Sequence, residues 1–187
     1  MSTMTAQVLK WNSPKTISSI ALGAYFRDIG LIGKLKDYDL VWNKKIDPSI
    51  SQVYLDHPLE GYLIVKRYFE KERTEEMNRF VLDIILQHHE DGTISGFPKQ
   101  MSFSKIYPPA LPVSLVDSFL IEYYSIIADN TQIRLSKSLH SLKSKFEGDL
   151  RLQALELLLT KGDINIACRF FEAFQNNLKI TVPKGCD

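Results

Sequence analysis

An all-α fold of about seven helices is predicted by three observations on this 187-residue chain. Apolar residues recur at helical spacing through every long segment, as in FVLDIILQ (80–87) and LVDSFLIEYY (115–124). Two cap-plus-proline pairs, Ser13-Pro14 and Asp47-Pro48, mark helix starts. No segment reads as a strand, the KITV run at 179–182 being too short to build on.

The elements follow in order. Ser13 caps a helix that runs through SSIALGAYFRDIG and stops near Gly30. The polar stretch GKLKDYDLVWNKKID (33–47) reads as a long loop and a functional surface. Asp47-Pro48 opens a helix through SQVYL. Proline suits the start of a helix and interrupts its interior, so Pro58 predicts a break at His57, with a new helix through GYLIVKRYFEK (61–71). Thr74, Glu75 and Glu76 start the next, through MNRFVLDIILQHHE. Its wide apolar face of Phe80, Val81, Ile84, Ile85 and Leu86 predicts burial on most sides. His88 and His89 fall at its C-terminal end. Glycines and prolines make DGTISGFPKQMSFSKIYPPALP (91–112) a connection. Helix resumes over 112–129. Three more follow: 131–147 capped by Asn130, 149–162, and 164–177 capped by Asp163.

One domain is expected over 1–187, with a core at 16–125 and C-terminal helices at 130–187. The formal net charge of +1 builds in no broad attraction to nucleic acid or to a membrane, and neither is expected as a partner. No apolar run suits a signal peptide or a bilayer span. The two cysteines, Cys168 and Cys186, form no disulfide framework, and the cytoplasm is the expected compartment. The aromatic stripe Phe170, Phe171 and Phe174 reads as core. Arg134, Lys137, Lys143 and Lys145 read as a solvated helix face, and His140 as an exposed helix residue.

Chemistry concentrates elsewhere. His57, His88 and His89 stand at helix ends or breaks, and Asp28 and Asp117 lie on apolar helical patterns. A carboxylate there is costly to bury unless its charge is compensated. Imidazole nitrogens and carboxylate oxygens together suit one transition-metal ion: Fe, Mn, Zn or Ni. Helical domains build such sites from facing helices.

The ordered set RDIGL (27–31), HPLEG (57–61), HHEDGTISGFP (88–98) and Asp117 resembles the HD-GYP family, helical HD-superfamily phosphodiesterases that cleave cyclic di-GMP in bacterial signalling. NKKIDPSISQ (43–52) is similar to a further segment of that family. The resemblance covers residues 16–125. It implies an HD-superfamily fold and two metal positions. Asp28 and Asp117 would serve the first. Asp28, His57, His88 and His89 would serve the second.

Departures from the family pattern shape the expected function. Arg27 stands where the family has the histidine of its His-Asp pair, and arginine has only donors and cannot ligate a metal. An upstream ligand has no equivalent. Leu31 replaces a phosphate-holding lysine, Thr93 and Ile94 replace an internal Asp-Gly, and Phe97 replaces a tyrosine. An Arg-Pro-Tyr-Arg segment after Asp117 is absent. The resemblance therefore implies a degenerate, non-catalytic signalling domain that works through a protein partner or by sensing a cyclic dinucleotide. The alternative is a phosphodiesterase with a reduced metal site. Arg27 is expected to place its cation where the first metal's charge would stand, paired with Asp28 or Asp117.

Overall fold

A computed structural model describes residues 1–34, 48–72, 75–92, 95–126 and 131–145, together with 152, 153 and 155. Cys168, Cys186, the three phenylalanines at 170, 171 and 174 and the loop residues 35–47 lie outside the described residues. So do the expected caps Asp47, Asn130 and Asp163.

Six α-helices are described: α1 (Ser2–Val8), α2 (Pro14–Phe26), α3 (Pro48–Glu72), α4 (Glu75–Gln87), α5 (Leu111–Ser125) and α6 (Thr131–Lys145). Short 3-10 turns cover Ile29–Leu31, Phe103–Lys105 and Pro108–Ala110. The described residues contain no strand. The all-α expectation holds. None of their helices is long and apolar enough to cross a membrane.

The helix expected over 112–129 stops at Ser125, where Ile126 turns extended, and three larger differences from the sequence expectation stand beside it. Helix α1 was not expected, because its sequence lacks a capping residue and an apolar stripe. It forms by packing on α2 and α5, with Ala6 and Thr5 fully buried. Helix α2 ends at Phe26, so Arg27 and Asp28 lie in the exit turn rather than on an apolar helical stripe. Most instructive is α3, which continues unbroken through Pro58. The break expected at His57 does not occur, because packing along α3 outweighs the one main-chain bond that proline forfeits.

Helix α4 is central. Its apolar face, anticipated from the sequence, packs on α2 and α3. Ile84 joins Ile20, Ala6, Ile106 and Val113 in one apolar cluster, whereas Val81, Leu82 and Ile85 join Val65 in another. A third cluster sets Leu115, Val116, Phe119 and Tyr123 of α5 against Leu139 and Leu142 of α6. Each fully buried aliphatic or aromatic side chain contributes roughly 1.5–3 kcal/mol of burial free energy.

Two glycines bring the first turn onto α3. A Cβ on Gly30 would run into the His57 carbonyl oxygen and come within 2.8 Å of the Gly61 nitrogen. One on Gly61 would stand 3.4 Å from the Gly30 nitrogen. Main chain meets main chain here, and this sets Asp28 beside His57.

Candidate metal centre

His57 and His88 converge from α3 and from the end of α4. Their Nε2 atoms are 3.1 Å apart, and both rings are fully buried. Asp28 Oδ1 lies 3.5 Å from His57 Nε2 and 3.8 Å from His88 Nε2. A ring nitrogen of His89 belongs to the same group, the three histidines' donor atoms all falling within 4.8 Å of one another.

The far side of each buried ring fixes what the near side offers. His57 Nδ1–H donates to the Tyr54 carbonyl, and His88 Nδ1–H donates to the Ile85 carbonyl at 2.7 Å. A carbonyl only accepts, so both Nδ1 atoms carry protons. Both Nε2 atoms are thereby turned toward each other and toward the Asp28 carboxylate. Burial pulls the His88 pKa down to about 3, with His57 adding to the effect, so His88 is neutral near pH 7. A cation held among these acceptors, a proton or a metal ion, draws them together.

The donor set fits a metal ion in that role. Two imidazole nitrogens bound to one ion at about 2.0–2.1 Å stand about 2.9–3.4 Å apart at bond angles of about 90–109°. The observed 3.1 Å lies in that range. Backbone acceptors on the opposite ring nitrogens are the usual support of metal-ligating histidine.

Arg27 lies beside this group, between two carboxylates. Its Nε is 3.1 Å from Asp117 Oδ1, its Nη2 is 3.1 Å from Asp28 Oδ2, and its Nη1 donates to the Ala24 carbonyl at 2.8 Å. The pairing expected with Asp28 or Asp117 is made with both. Burial opposes the Arg27 charge, but the two carboxylates hold its pKa above the ordinary value. Burial would raise Asp28 too, yet contact with His57 and Arg27 keeps it well below the usual carboxylate range. Burial does raise Asp117, to about 6, against the pull of Arg27. Asp117 Oδ2 also lies 3.5 Å from His89 Nδ1. Both Asp117 oxygens thus face Arg27 or His89, a supporting position behind the histidine group.

The loop after α4 explains the rest of HHEDGTISGFP. Glu90 is fully buried; its Oε1 accepts from the Lys99 amide and its Oε2 from the Met101 amide, each at 2.7 Å. Gly96 packs so closely that a Cβ would stand 3.0 Å from Asp91 and 3.1 Å from Glu90 Oε2. This fold-back lays Phe97 on His89, with ring centroids 4.3 Å apart and planes 24° from parallel. Phe97 therefore orients a candidate ligand without any hydroxyl.

Two residues with roles at the site were not singled out in the sequence. Tyr54 lies against His57, His89 and Phe97, at 5.1, 5.3 and 5.5 Å between centroids. Burial and the nearby Asp117 and Asp28 charges push its phenol pKa up. Its position three residues before His57 on a helix was the only available signal. Glu90 was visible in the motif, but its part in holding the loop depends on residues nine and more positions away. Leu31 is buried. Neither a family model nor a curated protein matches the chain.

Proposed function

We propose that this chain is a degenerate relative of the HD-GYP phosphodiesterases, a one-metal helical domain that signals by engaging a protein partner or a cyclic dinucleotide. The observation that carries this reading is the Arg27 guanidinium lying between Asp28 and Asp117 at 3.1 Å from each. Those carboxylates are the ones the resemblance gives to a first metal. A fixed organic cation balances their charge but offers no coordination position, so it cannot clamp an attacking or leaving oxygen as paired metals do. His57, His88, His89 and Asp28 remain to hold one ion of Fe, Mn, Zn or Ni. Bound there, the ion would supply Lewis acidity and tie α3 to the end of α4.

One observation favours the second reading, a phosphodiesterase with a reduced metal site. The Asp28 side chain is 36% exposed, so solvent reaches the edge of the histidine group beside Arg27. Metal analysis and turnover decide between the two. The first reading expects about one ion per chain, a melting temperature raised by the matching metal, loss of both in His88→Ala, and no hydrolysis of cyclic di-GMP or pGpG. Metal-dependent hydrolysis that disappears in His88→Ala would establish the second reading. A melting temperature indifferent to all four metals would refute both and leave a metal-free helical adaptor.

A further inference from the structure

The two buried histidines hold their tautomers by different means. His88 follows α4, and the carbonyls of a helix's last turn have no helical donors to meet. Ile85 therefore has an oxygen to spare. His57 lies in the middle of α3, where each carbonyl is ordinarily taken by the N–H four residues on. For Tyr54 that residue is Pro58, which has no N–H. The Tyr54 oxygen is thereby left for a side chain. Because a helical Cβ leans toward the N-terminus, the His57 ring can reach back one turn to take it.

We infer that Pro58 is a positioning residue for the metal centre. By withholding a helical N–H from the Tyr54 carbonyl, it reserves that oxygen for His57 Nδ1–H and so directs His57 Nε2 at His88 and Asp28. Proline in a helix interior weakens the helix, and Pro58 is buried rather than at a surface bend. Its presence is accounted for by what it does to the neighbouring ring. The inference rests on the one-metal reading, although the ring geometry can be tested without any metal.

The experiment compares wild type with Pro58→Ala. Alanine restores the N–H and competes for the Tyr54 oxygen. Affinity for Zn and Mn, measured by competition with a chromogenic chelator, is expected to fall about tenfold or more, as when a supporting partner of a metal-bound histidine is removed. The melting temperature of the chelator-treated protein is expected to stay level or rise, since alanine is the better helix former. A proline with a merely structural role would change the metal-free melting temperature and leave the affinity alone. Nitrogen-15 spectra of the metal-free proteins give an independent readout. His57 Nδ1 should be protonated in wild type, and partly deprotonated in Pro58→Ala. Unchanged affinity with an unchanged ring spectrum would overturn the inference. Should Pro58→Ala not fold, the wild-type spectrum decides: a bare Nδ1 on His57 refutes it, and a protonated Nδ1 coupled to the Tyr54 carbonyl supports it. Should wild type take up none of the four metals, the one-metal reading falls, while the two ring spectra still judge the role of Pro58.

Discussion

Replacing Arg27 with methionine keeps much of the side chain's length and removes its charge. The Asp117 side chain is 7% exposed and Arg27 22% exposed, so their pair is mostly withdrawn from water. Breaking a fully buried pair costs about 3–5 kcal/mol, because the surviving charge is stranded. An exposed pair is worth about 0–1 kcal/mol. The Asp117 arm lies toward the buried limit and should contribute about 2–3 kcal/mol. The Asp28 carboxylate is 36% exposed, so its arm, screened by solvent, adds less than about 1 kcal/mol. Arg27→Met should therefore lower stability by about 3 kcal/mol, read as a shift in urea midpoint with chelator present and an unchanged slope. In a cycle with Asp117→Asn, the double variant should lose about 2 kcal/mol less than the two single losses together. A single-variant loss under about 0.5 kcal/mol, or a coupling near zero, would refute the claim that this cation neutralises a buried carboxylate.

Other outcomes follow from the same geometry. Gly30→Ala forces a Cβ against the His57 carbonyl oxygen and the Gly61 nitrogen. It should cost about 1–3 kcal/mol and weaken metal uptake, measurable by urea denaturation and metal titration. Glu90→Gln cannot accept from both the Lys99 and Met101 amides as a carboxylate does. A loss of about 2 kcal/mol is expected, with faster hydrogen exchange at those two amides. The pH dependence has a definite sign. His88 titrates near 6.5 when unfolded and about 3 when folded, so its contribution to stability is lost as pH falls through that interval. Asp117, raised from 3.8 to about 6, opposes this by favouring the fold as pH falls from 6 to 3.8. Asp28 is depressed, so its contribution is lost below its unfolded pKa of 3.8. Metal-free wild type should therefore hold nearly level from about pH 6 to about pH 4 and weaken below that, whereas Asp117→Asn should begin to weaken near pH 6.5, as followed by urea midpoints across pH.

Much of the helical framework was legible because its signals are local. Ser13 and Pro14 begin α2 where the cap-plus-proline rule puts a helix start, and the α4 apolar stripe packs on two neighbours as its width required. The misplaced features depend on distant contacts. Helix α1 exists through what it touches, and α3 passes Pro58 because burial and a side-chain bond compensate a lost main-chain bond. At the site, the order of His57, His88 and His89 along the chain suggested a cluster, and their rings do converge. Asp28 and Asp117 were marked as acids in need of compensation. Arg27 was expected to pair with one of them; that it meets both follows from the exit turn of α2, which decides where its guanidinium lies. Tyr54 carried only its position one helical turn before His57, and Glu90 carried no spacing signal, because its partners Lys99 and Met101 come from a loop that folds back.

The meeting of Gly30 with Gly61 and the His57 carbonyl bears on how such a centre can change. A contact made of main-chain atoms has no rotamers to readjust. The distance between the exit turn and α3 is therefore indifferent to the side chains that flank it, Arg27 and Leu31 included. The side chain at position 27 can change while the carboxylate of Asp28 stays in reach of His57. Drift in ligands is thus uncoupled from drift in framework, and the constraint falls on two residues that carry no functional group.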